Sequence, residues 1–130
     1  VLILVIDDDA SSLNALRELL ELDGHQVVCA ENGRDALRRL REEDDVGLIL
    51  LDLMMPVMNG WEFRRKQLED SSVASIPVVA VTAGEDATGK AKRIGVEHCL
   101  QKPLSPEEVL DVVRSYDPPV SEGSGADAPA

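Results

Sequence analysis

One hundred and thirty residues suffice for one domain with a buried core, but not for two. The net charge of −12, from 25 acidic against 13 basic side chains, argues against direct nucleic-acid binding, which needs a basic patch to neutralise phosphates. The longest apolar runs are about six residues, too short for membrane insertion, and no signal-peptide pattern opens the chain.

The apolar fraction is 44% but only 2% is aromatic, so the core has to be built from Val, Leu, Ile and Ala. Residues 1–6 are a continuous apolar run that stops at Asp7, Asp8 and Asp9, as a strand buried on both faces does. Residues 11–23 carry Leu13, Leu16, Leu19 and Leu20 at helical spacing, with Ser11 or Ser12 as N-cap and Gly24 as the stop. Residues 26–30 read as a second strand. A second helix over 34–43 sets Ala36, Leu37 and Leu40 on one face and arginines on the other.

A third buried run, 46–51, again ends in an acid, Asp52. The loop Met54–Met55–Pro56–Val57–Met58–Asn59–Gly60 leads into a helix near 61–68. A fourth strand is expected over 77–82, a shorter helix over 86–94 ended by Gly95, and a fifth strand over 97–101. Residues 105–116 close as a helix whose start, Ser105 with Glu108 three residues on, fits a capping box. The stretch 117–130 is Pro, Gly, Ser and Ala with almost nothing to bury, and reads as a flexible tail or linker. A chain that begins at Val1 rather than Met reads as an excised or trimmed domain.

Five strands alternating with five helices predict an α/β fold, a parallel sheet covered on both faces. We take the flavodoxin-like doubly wound order 2-1-3-4-5 as the expectation; the spacing does not derive it. In such sheets ligands bind outside the carboxyl ends of the strands, where the strand order reverses. That places Asp7 and Asp8, ending the first strand, beside Asp52, ending the third. Three converging carboxylates repel one another. A hard divalent cation relieves the repulsion, and one or two carboxylates with water and phosphate is how Mg²⁺ is usually held. Thr82 ends the fourth strand and Lys102 follows the fifth, adding a hydroxyl and an ammonium. Carboxylate nucleophile, metal site and cationic donor are what phosphoryl transfer requires.

With these residues in place, the chain resembles the receiver domains of two-component response regulators. The resemblance rests on VLILVIDDD, LILLDLMMPVMNGWE around Asp52, VVAVTAG around Thr82 and QKPL around Lys102, and covers roughly residues 1–116. It implies Asp52 as nucleophile and phosphoacceptor, Asp8 as a direct Mg²⁺ ligand, Asp7 acting through water and the Met54 carbonyl as a further ligand. It also implies that Thr82 bonds the phosphoryl oxygen, that Lys102 pairs with the phosphate, and that Lys102–Pro103 is cis. The phosphodonor would be a sensor histidine kinase or phosphotransfer protein. The readout would be the face built by the expected helix 86–94, the fifth strand and the last helix, towards an output partner or domain that the sequence does not name.

Three positions depart from the family pattern. Cys99 stands where an aromatic residue often swings inward, three before the lysine. Met54 and Gly84, each two residues past a site residue, bring no polar side chain to guide water, which bears on the lifetime of the phosphoryl group.

Simpler roles stand beside these. Asp7 and Asp8 could cap the first helix, although one cap does not need two acids; Asp9 fits a loop or cap better than a ligand. Met54, Met55 and Met58 read as packing residues, His25 and His98 as exposed polar residues. Cys29 and Cys99 read as small core residues, unpaired because strands 2 and 5 lie at opposite edges, about 19 Å apart at ~4.8 Å per strand. Thiols without metal-ligand spacing, and no export signal, point to the cytoplasm. Two other functions compete: a pseudo-receiver that binds partners without phosphorylation, and an aspartate-nucleophile phosphatase using Asp7, suggested by a loose D-x-D echo. The receiver reading expects no catalysis beyond the domain's own phosphorylation and dephosphorylation.

Overall fold

The computed structural model describes residues 2–53, 59–83, 89, 92–93, 95–96 and 98–116. Five parallel strands form one sheet: β1 (Leu2–Ile6), β2 (Gln26–Ala30), β3 (Val46–Asp52), β4 (Val78–Thr82) and β5 (His98–Gln101), in the order β2-β1-β3-β4-β5. The helices given over their full length are α1 (Ala10–Leu22), α2 (Gly33–Glu42), α3 (Gly60–Glu69) and α4 (Pro106–Tyr116). Of the helix expected over 86–94, residues 89, 92 and 93 are described and are helical. Val1, Glu97 and the stretch 117–130 lie outside the described residues.

Alternation along the strands divides the core in two. Ile3, Val5, Leu48, Leu50, Val79 and Val81 face Leu13, Leu16 and Leu20 of α1 and Val109 and Val113 of α4. Leu4, Ile6, Ile49, Leu51, Val78 and Ala80 face Ala36 and Leu40 of α2 and Phe63 of α3. Each fully buried Leu or Ile contributes about 1.5–3 kcal/mol, so both faces are needed to hold the sheet. β1 pairs with β3 through a bulge: Leu2 opposes Val46 and Ile3 opposes Leu48, leaving Gly47 as the extra residue.

Parallel register brings the carboxyl ends of β1, β3, β4 and β5 to one edge. Ile6 opposes Leu51, Asp52 opposes Val81, and the Lys102 N–H donates to the Thr82 carbonyl at 2.8 Å. The order reverses between β1 and β3, so Asp7 and Asp52 leave neighbouring strands that diverge into different connections.

At the start of α1 and at the turn that follows it, local details differ from the sequence reading. The N-cap of α1 is Asp9, not Ser11 or Ser12; its carboxylate accepts the Ser11 N–H at 3.0 Å and the Ser12 hydroxyl at 3.2 Å. Placed one residue before the helix, Asp9 reaches the donors that a serine inside the first turn cannot. His25 is buried, at 7% exposure, with Nε2 3.1 Å from Oδ2 of Asp23. It follows Gly24, whose φ of +92° turns the chain back towards the sheet, and that turn carries the ring inward.

Candidate functional site

At the end of β1, Asp7 is almost wholly enclosed and both of its oxygens are engaged. Oδ1 accepts the Asp9 N–H at 2.9 Å and Oδ2 accepts Lys102 Nζ at 3.1 Å. Asp52 closes β3 at 4% exposure, and the same ammonium lies 3.4 Å from its Oδ2. Asp8 is exposed, yet a carboxylate oxygen from each of Asp7, Asp8 and Asp52 falls within 4.8 Å of the others. Thr82 is fully buried at the end of β4, one residue past the register partner of Asp52, and its hydroxyl donates to the Ala83 carbonyl at 3.3 Å. The Lys102–Pro103 bond is cis. Met54 and Gly84 lie outside the described residues.

Three carboxyl groups here meet one ammonium. At 4.8 Å and an effective dielectric of ~20, each carboxylate pair repels by about 3–4 kcal/mol. One lysine at 3.1 and 3.4 Å offsets much of that but leaves the cluster net negative. Its own ionisation records the competition: burial favours the neutral amine, but the hydrogen bond to Asp7 and the charges of Asp52 and Asp7 prevail and hold its pKa above the ordinary value. The donor set is all oxygen, partly enclosed and open on the Asp8 side, which suits a hard divalent cation that keeps some of its water.

Gly60 holds the site from below. A Cβ there would lie 2.7 Å from the Leu53 Cα and 3.0 Å from the Asp52 carbonyl oxygen. Its N–H donates to the Leu53 carbonyl at 3.1 Å. Asn59, the N-cap of α3, accepts the Glu62 N–H at 3.0 Å. The cap starts α3 directly against the end of β3, a contact only glycine permits. The sequence reading placed Gly60 in a loop and gave it no role.

Gln67 was missed altogether. It is fully buried on α3, and its amide donates to the Val73 and Ile76 carbonyls, each at 3.0 Å, fixing the chain that enters β4. Its position four residues after Phe63, on the same helical face, was the available signal.

Residues 3–114 match the response regulator receiver domain. Over 115 residues the chain is 36% identical to Protein PilH of Pseudomonas aeruginosa, covering 87% of this chain and 94% of that protein. It is 37% identical to the transcriptional regulatory protein CpxR homolog of Haemophilus influenzae, covering 87% of this chain but 48% of that one. Among solved structures, the chemotaxis response regulator CheY4 of Vibrio cholerae superposes with a TM-score of 0.81 at 28% identity, covering 89% of this chain and 98% of that one.

Proposed function

Since the chain belongs to the response regulator receiver domains, we propose that it accepts a phosphoryl group on Asp52 from a phosphohistidine of a sensor kinase or phosphotransfer protein. The observation that carries this assignment is the convergence of Asp7, Asp8, Asp52 and Lys102, from three strand ends, on one partly enclosed crevice.

In the transfer, a carboxylate oxygen of Asp52 attacks phosphorus as the P–N bond to the donor imidazole breaks; the imidazole leaves with the bonding pair and takes up a proton. Lys102, already beside Asp52, stabilises charge on the phosphoryl oxygens. Thr82 exchanges its bond to the Ala83 carbonyl for one to a phosphoryl oxygen. Asp8, with Asp52, the Met54 carbonyl and Asp7 acting through water, would hold Mg²⁺. The bound ion would neutralise negative charge on the transferring group. Both oxygens of Asp7 are committed, to Asp9 and Lys102, which suits an outer role and disfavours Asp7 as a phosphatase nucleophile. A pseudo-receiver would have no need of the complete set.

We assign residues 1–116 to the domain and 117–130 to a tail or linker. Two cysteines outside any disulfide suit the cytoplasm, and no helix among the described residues is long and apolar enough to cross a membrane. The absence of a polar side chain at Met54 and Gly84 favours a long-lived phosphoryl group, and Cys99 in β5 replaces an aromatic swing with a smaller rearrangement.

Titrating beryllofluoride while following Trp61 fluorescence tests the assignment. The single tryptophan, at the start of α3, adjoins the site. Saturable binding in Mg²⁺ that vanishes on chelation is expected; no response in Mg²⁺ would remove the phosphoacceptor assignment.

A further inference from the structure

On the face of α3 turned towards Lys92, Arg93 and Gly95 lies a groove of about 690 Å³ lined by Trp61, Glu62, Arg64, Arg65, Leu68, Lys92 and Arg93, with Asn59 and Gly95 at its borders. Among the described residues that line it, four are cations and one is a carboxylate, in a chain whose net charge is −12. The cationic wall is also held in place: the Arg64 guanidinium donates to Gln67 Oε1 at 2.8 Å and to the Gly95 carbonyl at 3.2 Å. Between the charges lie the half-buried Trp61 and Leu68, which is 50% exposed.

We propose that this groove docks an acidic peptide segment of a partner protein, one carrying apolar side chains between its carboxylates. Arg64, Arg65, Lys92 and Arg93 take the carboxylates, and Trp61 and Leu68 cover the apolar side chains. Arginine presents a planar fork matched to carboxylates, and an indole offers large contact area at little entropic cost. The groove has the size of a site for a small ligand or short segment. A long polyanion such as nucleic acid would place most of its phosphates against the acidic remainder of the surface, which argues for a peptide. The proposal does not rest on phosphorylation of Asp52.

The test is an NMR titration of the isotopically labelled chain with a short peptide of alternating Glu and Leu. A Gln/Leu peptide, a single-stranded DNA oligonucleotide and the double variant Arg65→Glu/Arg93→Glu serve as comparisons. Both substituted side chains are exposed, and unchanged amide shifts in the β-sheet of the variant report that its fold is intact. Expected are shifts centred on the Trp61 indole and the α3 amides, weakened at least about tenfold by the double variant and by raising salt from about 0.05 to 0.3 M, and absent with Gln/Leu. Any of three results would overturn the proposal: no shifts at these positions at millimolar peptide, equal affinity for the double variant, or displacement of the peptide by the DNA. So would self-association of the chain through the same residues, which would make a second copy the occupant.

Discussion

The Lys102 ammonium lies 3.4 Å from Oδ2 of Asp52 and 3.1 Å from Oδ2 of Asp7, tying the β5 end to both strands at the reversal of the sheet. Removing it has two consequences. Phosphorylation of Lys102→Met from a small donor should slow by about 10²-fold, the scale of deleting one charge-stabilising donor. The variant should also unfold about 1–3 kcal/mol more easily at neutral pH without metal, because the partly buried carboxylates lose their counter-charge. Urea denaturation checks the second effect; an unchanged midpoint would show that the pair does not support the fold.

The same imbalance predicts the reverse for the acceptor. Asp52→Asn removes one of three mutually repelling charges and should raise metal-free stability by about 1 kcal/mol, or about 4 °C in Tm for a domain near this size. Added Mg²⁺ should then stabilise wild type more than the variant, since binding to the native state alone raises its stability. Calorimetry with and without Mg²⁺ reads both; equal metal stabilisation would place the ion elsewhere.

Gly60 carries a steric prediction. A methyl at 2.7 Å from the Leu53 Cα must push backbone against backbone, and overpacking of this kind costs about 1–3 kcal/mol. Gly60→Ala should lose that stability and slow Asp52 phosphorylation as well, because the displaced segment is the one that sets the carboxylate. Stability lost with an unaltered phosphorylation rate would confine Gly60 to packing.

Arg114 of α4 donates to Asp23, through Nη2 to Oδ1 at 2.6 Å and Nε to Oδ2 at 3.3 Å, fastening the last helix to the α1–β2 turn. That hydrogen bond holds the Asp23 carboxyl below its ordinary value of 3.8, against the opposing effect of burial. A carboxyl whose folded pKa is depressed stabilises the fold above its unfolded pKa and loses that contribution as pH falls through the folded value. Arg114→Ala should therefore be less stable than wild type at pH 5–7, with the gap closing below about pH 4. Midpoints of denaturation across this range test it; a gap independent of pH would assign the effect of Arg114 to packing.

The sheet and its order of layers were readable because each buried strand is an uninterrupted apolar run, and the runs of β1 and β3 stop at acids. Once the flavodoxin-like order was assumed, Asp7, Asp8 and Asp52 had to meet. What pattern could not supply was the division of labour between Asp7 and Asp8. Asp9 was readable as a loop or cap residue and does cap α1, but adjacent identical residues give no hint that Asp7 turns into the sheet edge while Asp8 stays exposed. His25 misled because a lone histidine after a glycine looks like a surface turn, whereas the left-handed Gly24 redirects it inward. Gly60 was visible as a loop residue, but a 2.7 Å approach to Leu53 belongs to tertiary packing and leaves no local trace.

Intact-mass measurement after incubation with acetyl phosphate and Mg²⁺, on wild type and Asp52→Asn, tests the central claim most directly. The account predicts one phosphoryl adduct on wild type, none on the variant, and loss of the adduct when Mg²⁺ is chelated. No adduct on wild type, or an equal adduct on Asp52→Asn, would contradict it.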